Sequence, residues 1–274
     1  MNPASSLIIF TVFSGLGFGT FFSIVIPTLN SEKYLKETIR SIISQDKSIN
    51  IQLIFSDGGS KDQTLEIIKS INEKNCLKEI IYNQIGLTKA LNEGFKKAKG
   101  KYLTYLNSDD MLSKNALINI KNNFEQKKNN EWIIGFCENV GDKYFLNNLV
   151  NFYKKNLLKF INFNLLSINN VISQPSVFWK KSFFHKVGEF DENIKFNMDY
   201  DMWLRMIKVS KPDVIDNNIS FFRRHNKSLS HNNLISQFKE KYKIMRIHNK
   251  NLVISTIHLL LSAFIVFIYK ITNY

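Results

Sequence analysis

The chain has 274 residues, of which 44% are hydrophobic and 13% aromatic, enough for one sizeable core and contrary to intrinsic disorder. Its two cysteines, Cys76 and Cys137, stand outside any CxxC or Cys/His ligand spacing, which excludes a sequence-encoded zinc site or disulfide framework and suits a reducing compartment. The net charge is +14, yet the basic residues are spread along the chain without a finger, helix-turn-helix or RNP-like pattern, so an anionic lipid or phosphorylated substrate is expected and nucleic acid is not.

The chain opens on an apolar extension, residues 1–21, whose LIIFTVFSGLGFGTFF stretch lacks the basic start of a signal peptide and reads as a membrane contact or a simple extension. Phe22 to Pro27, FSIVIP, is a continuous apolar run, the pattern of a strand buried on both faces. Ser31-Glu32 then opens a helix with Leu35, Ile39, Ile42 and Ile43 on one face. Ile51 to Phe55 predicts a second strand ending at Asp57-Gly58-Gly59-Ser60, followed by a helix carrying Leu65, Ile67, Ile68 and Ile71. Ile80-Ile81 marks a third strand, Leu87 to Lys97 a helix, and Lys101 to Leu106 a fourth strand that runs into Asn107-Ser108-Asp109-Asp110.

Strands alternating with such helices imply a parallel α/β sheet with right-handed crossovers, whose ligands bind at the carboxyl ends of the strands. The polar landmarks Pro27-Thr28-Leu29-Asn30, Asp57-Gly58 and Asn107 to Asp110 all fall on that edge. Past Lys114 the rhythm fades: a helix to about Lys127 and the strand-like WIIGF, Trp132 to Phe136, lead into a Phe/Asn/Leu-rich segment, Tyr144 to Asn170, expected to build a less regular lobe. A strand over Val214 to Ile219 precedes the basic segment FFRRHNKSLSH, Phe221 to His231. Residues 252–269 carry no formal charge and nearly match a bilayer core in length, with Lys239, Lys241, Lys243, Arg246 and Lys250 upstream. They read either as a span with the upstream side cytoplasmic, or as a helix packed on the domain or lying in the interface. The chain thus divides into 1–21, a nucleotide-binding βα half at 22–113, an acceptor and catalytic half at 114–232, and basic plus apolar C-terminal helices at 233–274.

Adjacent carboxylates at a strand end have three uses. Asp110 can cap the helix that follows, both can pair with surface lysines, or Asp109 and Asp110 can hold Mg²⁺ or Mn²⁺, ions bound by one or two carboxylates together with substrate phosphate oxygens. Asp57 offers an acceptor where two glycines let backbone approach a flat ligand. Asp199, at the head of a helix carrying Tyr200, Trp203, Leu204 and Ile207, is a cap or a general base.

FSIVIPTLNSEKYLKETIRSIISQ, IFSDGGSKDQT, ALNEGFKKAKGKYLTYLNSDD and VGEFDENIKFNMDYDMWLRM occur in this order, and together they resemble the family 2 glycosyltransferases of the GT-A fold, which implies a Rossmann-like, mixed but mainly parallel sheet flanked by helices. The resemblance covers roughly Ser23 to Ser230. It implies an inverting, metal-dependent transfer of a sugar from a nucleotide-diphosphate sugar, most readily a UDP-sugar, to a glycan or lipid-linked acceptor in cell-surface polysaccharide or glycolipid assembly. By the same resemblance Pro27, Thr28, Asn30, Asp57, Gly58, Asn92, Asn107, Ser108, Asp109, Arg224 and His225 hold the nucleotide sugar. Asp109 becomes the metal ligand with Asp110 behind it, Asp199 the base, and Asp201 the alternative base. The usual Asp-X-Asp motif has Asn107 in its first place, which removes one charge near the metal and puts that role on Asp109. Family acids near Gly86 are replaced by Gln84, Thr88 and Lys89, and Lys89 reads as a solvated lysine or as positive charge toward a diphosphate. Nucleotidyltransferases lack the PTLNSEKY type of loop after strand one, and an inactive nucleotide-sugar-binding protein at the membrane is the remaining alternative.

Overall fold

The structure is a computed structural model that describes residues 21–73, 75–82, 86–141, 144–225 and 234–272. The N-terminal extension up to residue 20, Gln84, and the basic segment beyond His225 up to residue 233 lie outside the described residues.

Four strands and three helices alternate as expected: β1 (Phe21–Thr28), α1 (Glu32–Ile43), β2 (Asn50–Asp57), α2 (Thr64–Lys69), β3 (Cys76–Tyr82), α3 (Leu87–Lys97) and β4 (Tyr102–Tyr105). They form a parallel set in the order β3-β2-β1-β4, with Thr28 beside Asp57 at the carboxyl edge. Successive residues of β1 feed opposite faces. Ile24 and Ile26 pack with Leu35, Ile39 and Phe55 on one side, while Val25 packs with Leu91, Phe95 and Trp179 on the other. That two-sided burial is why the run is apolar throughout. At Gly94, α3 comes so close to β1 that an added Cβ would stand 2.5 Å from Val25 Cγ1.

The remaining elements are β5 (Met111–Leu112), α4 (Ala116–Gln126), β6 (Trp132–Gly141), α5 (Tyr144–Leu158), α6 (Phe163–Ile168), β7 (Val177–Lys180), α7 (Lys181–Val187), α8 (Met198–Val209), β8 (Asp213–Arg224), α9 (Leu234–His248) and α10 (Leu252–Thr272). They continue the same sheet as β4-β7-β6-β8-β5, in which β7 runs antiparallel to β4 and β6, and β8 parallel to β6. The sheet is therefore mixed, and uniform strand direction holds for its first half alone.

One expectation changes here, and one open between two readings is decided. Tyr144 to Asn170 is largely helical, not irregular. Its asparagines, which obscure the apolar period, serve as internal hydrogen-bond partners: Asn151 is buried and its Oδ1 accepts from the Asn139 backbone N–H at 2.9 Å. The uncharged C-terminal stretch is the helix α10, which packs against α6 and α9. Its His258 is wholly buried, with Nδ1 2.9 Å from the Ser167 carbonyl, and burial depresses the imidazole pKa. Among the described residues no helix is long and apolar enough to cross a membrane.

Candidate active site

The first wall of the site is the joined end of β1 and β2. Asp57 is wholly buried, and its carboxylate accepts from Thr28 Oγ1 (2.9 Å), the N–H groups of Gly59 (3.0 Å) and Ser60 (2.9 Å), and Ser60 Oγ (2.6 Å). A carboxylate has about four lone-pair sites, and all are taken. Asp57 thus shapes the turn and has no acceptor left for a base, contrary to the sequence expectation. The turn it builds brings the Gly58 N–H to the Thr28 carbonyl (2.8 Å). It also seats Asn30, at φ 50°, whose N–H donates to Ser60 Oγ and whose Oδ1 accepts from the Lys61 N–H. Pro27 is half-buried at the end of β1, and Leu29 projects into solvent.

The second wall follows β4. Asp110 is wholly buried; Oδ1 accepts from the Arg223 N–H (3.0 Å) and Oδ2 from Asn107 Nδ2 (3.2 Å). Burial, reinforced by neighbouring Asp109, raises its pKa well above the carboxylate range. Asn107 therefore gives its amide N–H to Asp110. Ser108 is tied to α1, its hydroxyl 2.8 Å from Ser31 Oγ and its carbonyl accepting from Thr38 Oγ1.

Asp109 alone of this group presents its carboxylate outward, with Oδ2 2.9 Å from His225 Nε2. The two residues lie 116 positions apart and meet because β8 returns beside the β4 end. Tyr34 packs against the imidazole in a tilted arrangement, 4.9 Å between centroids, and carries the Arg223 guanidinium 4.5 Å from its ring centroid. Arg223 also donates through Nε to the Asp109 carbonyl and pairs with Glu37. It is a clamp between β8 and the Asp109 turn, whereas Arg224 is the next residue along the strand.

Among the described residues no cluster of three His, Cys, Asp or Glu side chains encloses a cation. Asp109 supplies a carboxylate oxygen of the kind that Mg²⁺ or Mn²⁺ takes together with phosphate oxygens, and His225 stands 2.9 Å from it.

The third wall is the head of α8. Glu240 of α9 accepts from the N–H groups of Lys195 (2.8 Å), Phe196 (2.8 Å) and Asn197 (2.9 Å), which fixes the chain entering the helix. Asp199 is half-buried, and its Oδ1 accepts from the Tyr200 N–H at 2.7 Å. Burial raises its pKa, opposed by that hydrogen bond and by the charges of Lys241 and Lys154. Tyr105, at the end of β4, is buried, and its hydroxyl pKa is raised by burial and then by Asp199 and Asp110. Asp201, the alternative base, points elsewhere: its carboxylate is held by Arg205 Nε (2.8 Å) and His248 Nε2 (2.7 Å).

Asn92 is not at this cleft. Its amide donates to the Phe190 carbonyl (2.9 Å) and accepts from the Phe190 N–H (3.0 Å), locking α3 to the loop before α8. Lys89 and His185 are exposed. Tyr34, Tyr105, Lys154 and Lys241 were not singled out from the sequence as site residues: Tyr34 and Tyr105 sit in ordinary helical and strand patterns, Lys154 lies in the segment expected to be irregular, and Lys241 stands among other basic residues.

A Rossmann-like half whose ligand edge is faced by a mixed-sheet half, in this strand order, defines a GT-A glycosyltransferase fold. The sequence profile described as glycosyl transferase family 2 matches residues 23–188. An uncharacterised glycosyltransferase of Rickettsia typhi is 32% identical over 228 residues, 80% of this chain and 68% of that one. The minor teichoic acid biosynthesis protein GgaB of Bacillus subtilis is 32% identical over 191 residues, 65% of this chain and 20% of that one. The crystal structure of Staphylococcus aureus TarS 1–349 in complex with UDP-GlcNAc superposes with a TM-score of 0.63 at 18% identity, covering 84% of this chain and 66% of that one. The chain belongs to glycosyl transferase family 2, and it spans only part of the length of these relatives.

Proposed function

We propose that the protein transfers a sugar, a hexosyl or N-acetylhexosaminyl group, from a UDP-sugar to a hydroxyl of a glycan or lipid-linked acceptor, with inversion. The observation that carries this reading is Asp199: a carboxylate at a helix start braced by Glu240, with one backbone hydrogen-bond partner and a pKa raised by burial. The UDP-GlcNAc complex of TarS supports the donor class, and the name of GgaB supports a cell-surface polymer as product.

In this reading the β1–β2 edge, from Pro27 to Asn30 and at Gly58, receives the nucleoside, and Asp109, His225 and Arg224 face its diphosphate. Asp109 and His225 would hold the divalent ion, which when bound stabilises the charge developing on the leaving diphosphate. Asp199 accepts the proton of the acceptor hydroxyl as that oxygen bonds to the anomeric carbon. The bond to the diphosphate oxygen breaks on the opposite face, and a single displacement inverts the centre. A positioned carboxylate typically contributes about 10²- to 10⁴-fold to such a step.

We further assign the protein to the cytoplasmic face of a membrane, held peripherally. The support is α10, which exposes Leu252, Val253, Leu260, Phe264 and Phe267 beside the basic α9.

A screen of nucleotide sugars with Mg²⁺ or Mn²⁺, following acceptor-dependent nucleotide release, tests the assignment. Turnover of a UDP-sugar, lost in Asp109→Ala, is the expected result. No release from any nucleotide sugar with any acceptor would overturn it.

A further inference from the structure

Gln174 opens a 3₁₀ turn, Gln174–Ser176, that leads directly into β7. Because β7 runs antiparallel to β4, its start abuts the carboxyl end of β4: Trp179 pairs with Leu103, and Thr104 Oγ1 donates to the Val177 carbonyl at 2.8 Å. The turn therefore sits on the ligand edge, at the seam between the parallel and mixed halves of the sheet, and packs against β4, β6 and β8. It is braced from within. Pro175 has its φ fixed by its ring, and Ser176 binds the Ser173 carbonyl through its N–H (3.2 Å) and its hydroxyl (2.9 Å).

The side chain of Gln174 is only half used. Its Nε2 donates to the Tyr105 carbonyl at 2.6 Å, and since a carbonyl can only accept, that bond fixes which way the amide is turned. Oε1 is thereby left as the other end, buried, and among the described residues no donor reaches it. The residue as a whole is 7% exposed. The two other buried glutamines spend both ends. Gln45 Oε1 accepts from the Leu117 N–H while Nε2 donates to the Ser41 and Ser113 carbonyls. Gln52 Oε1 accepts from Ser23 Oγ and the Lys99 N–H while Nε2 donates to Glu79 and the Lys97 carbonyl. A buried acceptor without a donor is costly, so an idle one on the ligand edge calls for a partner from outside the chain.

That partner must bring an O–H or N–H, which excludes a phosphate oxygen, itself an acceptor. Strand order says which part of a ligand lies here. Along β2-β1-β4-β7 the edge presents the turns after β1 and β2, then Asp109 after β4, then the turn before β7. A nucleotide sugar has its parts in the same sequence: nucleoside, diphosphate, sugar.

We propose that Gln174 is a specificity-determining residue for the donor, its Oε1 accepting a hydrogen bond from a hydroxyl or an acetamido N–H of the transferred sugar. This contact rests on the nucleotide-sugar reading, but binding alone measures it.

The test is titration calorimetry of the full chain, in Mn²⁺, with UDP and with UDP-glucose, UDP-galactose and UDP-N-acetylglucosamine. Analogues of the tightest binder that lack one hydroxyl, or the acetamido group, at a time complete the set. Gln174→Met keeps the length of the side chain and removes the acceptor; it should weaken the tightest-binding UDP-sugar about tenfold and leave UDP within about twofold of wild type. One analogue should bind wild type about tenfold less well than its parent, and Gln174→Met should no longer tell the two apart. Ser176→Ala loosens the same turn without touching the amide and should leave the ratio of UDP-sugar to UDP affinity unchanged. Thermal unfolding checks that each variant is folded; should Gln174→Met fail to fold, Gln174→Asn, which retracts the amide by one methylene, reads the same split. Equal weakening of UDP and the UDP-sugar, no weakening of either, or a raised acceptor KM with donor affinity intact overturns the contact. A chain that shows the Gln174-dependent preference but transfers no sugar would keep the contact and sink the transfer reading instead.

Discussion

Four aspartates mark the cleft, and their surroundings give them different work. Asp57 is consumed by four donors, and Asp110 is wholly buried with a donor on each oxygen, so both are scaffold; Asp109 faces His225, and Asp199 has a single backbone partner. Sequence spacing singled out all four but could not rank them, because whether a carboxylate is spent on its own turn depends on backbone geometry at Gly59 and Ser60, and on a strand more than a hundred residues away. The raised pKa of Asp199 makes a pH prediction. The base works when deprotonated, so activity should fall as pH drops through a value above the ordinary carboxylate value of about 3.9. A kcat/KM–pH profile should place the acidic limb there, and Asp199→Asn should erase it.

At the scale of elements, α8 is positioned from outside itself. Glu240 ties down the three residues before it, and Asp201 joins it to His248 of α9 and to Arg205. Glu240→Ala should free the helix start and lower kcat roughly 10- to 100-fold through misplacement of Asp199, with donor affinity little changed in a nucleotide titration. Asp201→Ala should cost about 3 kcal/mol in denaturant unfolding, since it strands two partners in a largely buried site. Burial opposes ionisation of Asp201, but His248 and Arg205 outweigh it and hold the pKa below 3.8. The stabilisation is therefore present above pH 3.8 and lost as pH falls through the lower folded value. The βα half was legible because two-sided burial writes continuous apolar strands and amphipathic helices. The α5–α6 segment was not, because its buried asparagines mimic loop composition, and with it Lys154 stayed hidden. Asn92 misled for a related reason: its motif places it in α3, but only the loop before α8 explains why it is buried.

For the whole molecule, the basic balance and the exposed apolar side of α10 point the same way, toward a peripheral contact with anionic lipid. Co-sedimentation with vesicles containing phosphatidylglycerol should retain the full chain at low salt. Replacing Leu260, Phe264 and Phe267 together with serine should release it, leaving soluble-acceptor turnover intact. Retention of that triple variant would place the contact elsewhere. The division of labour across the cleft, donor on the parallel half and acceptor on the mixed half, is the account's central claim, and it turns on Asp199. The direct measurement is acceptor-dependent sugar transfer by Asp199→Asn beside its affinity for the nucleotide sugar. The account predicts transfer reduced at least about 100-fold with affinity within a few-fold of wild type; transfer at the wild-type rate would contradict it.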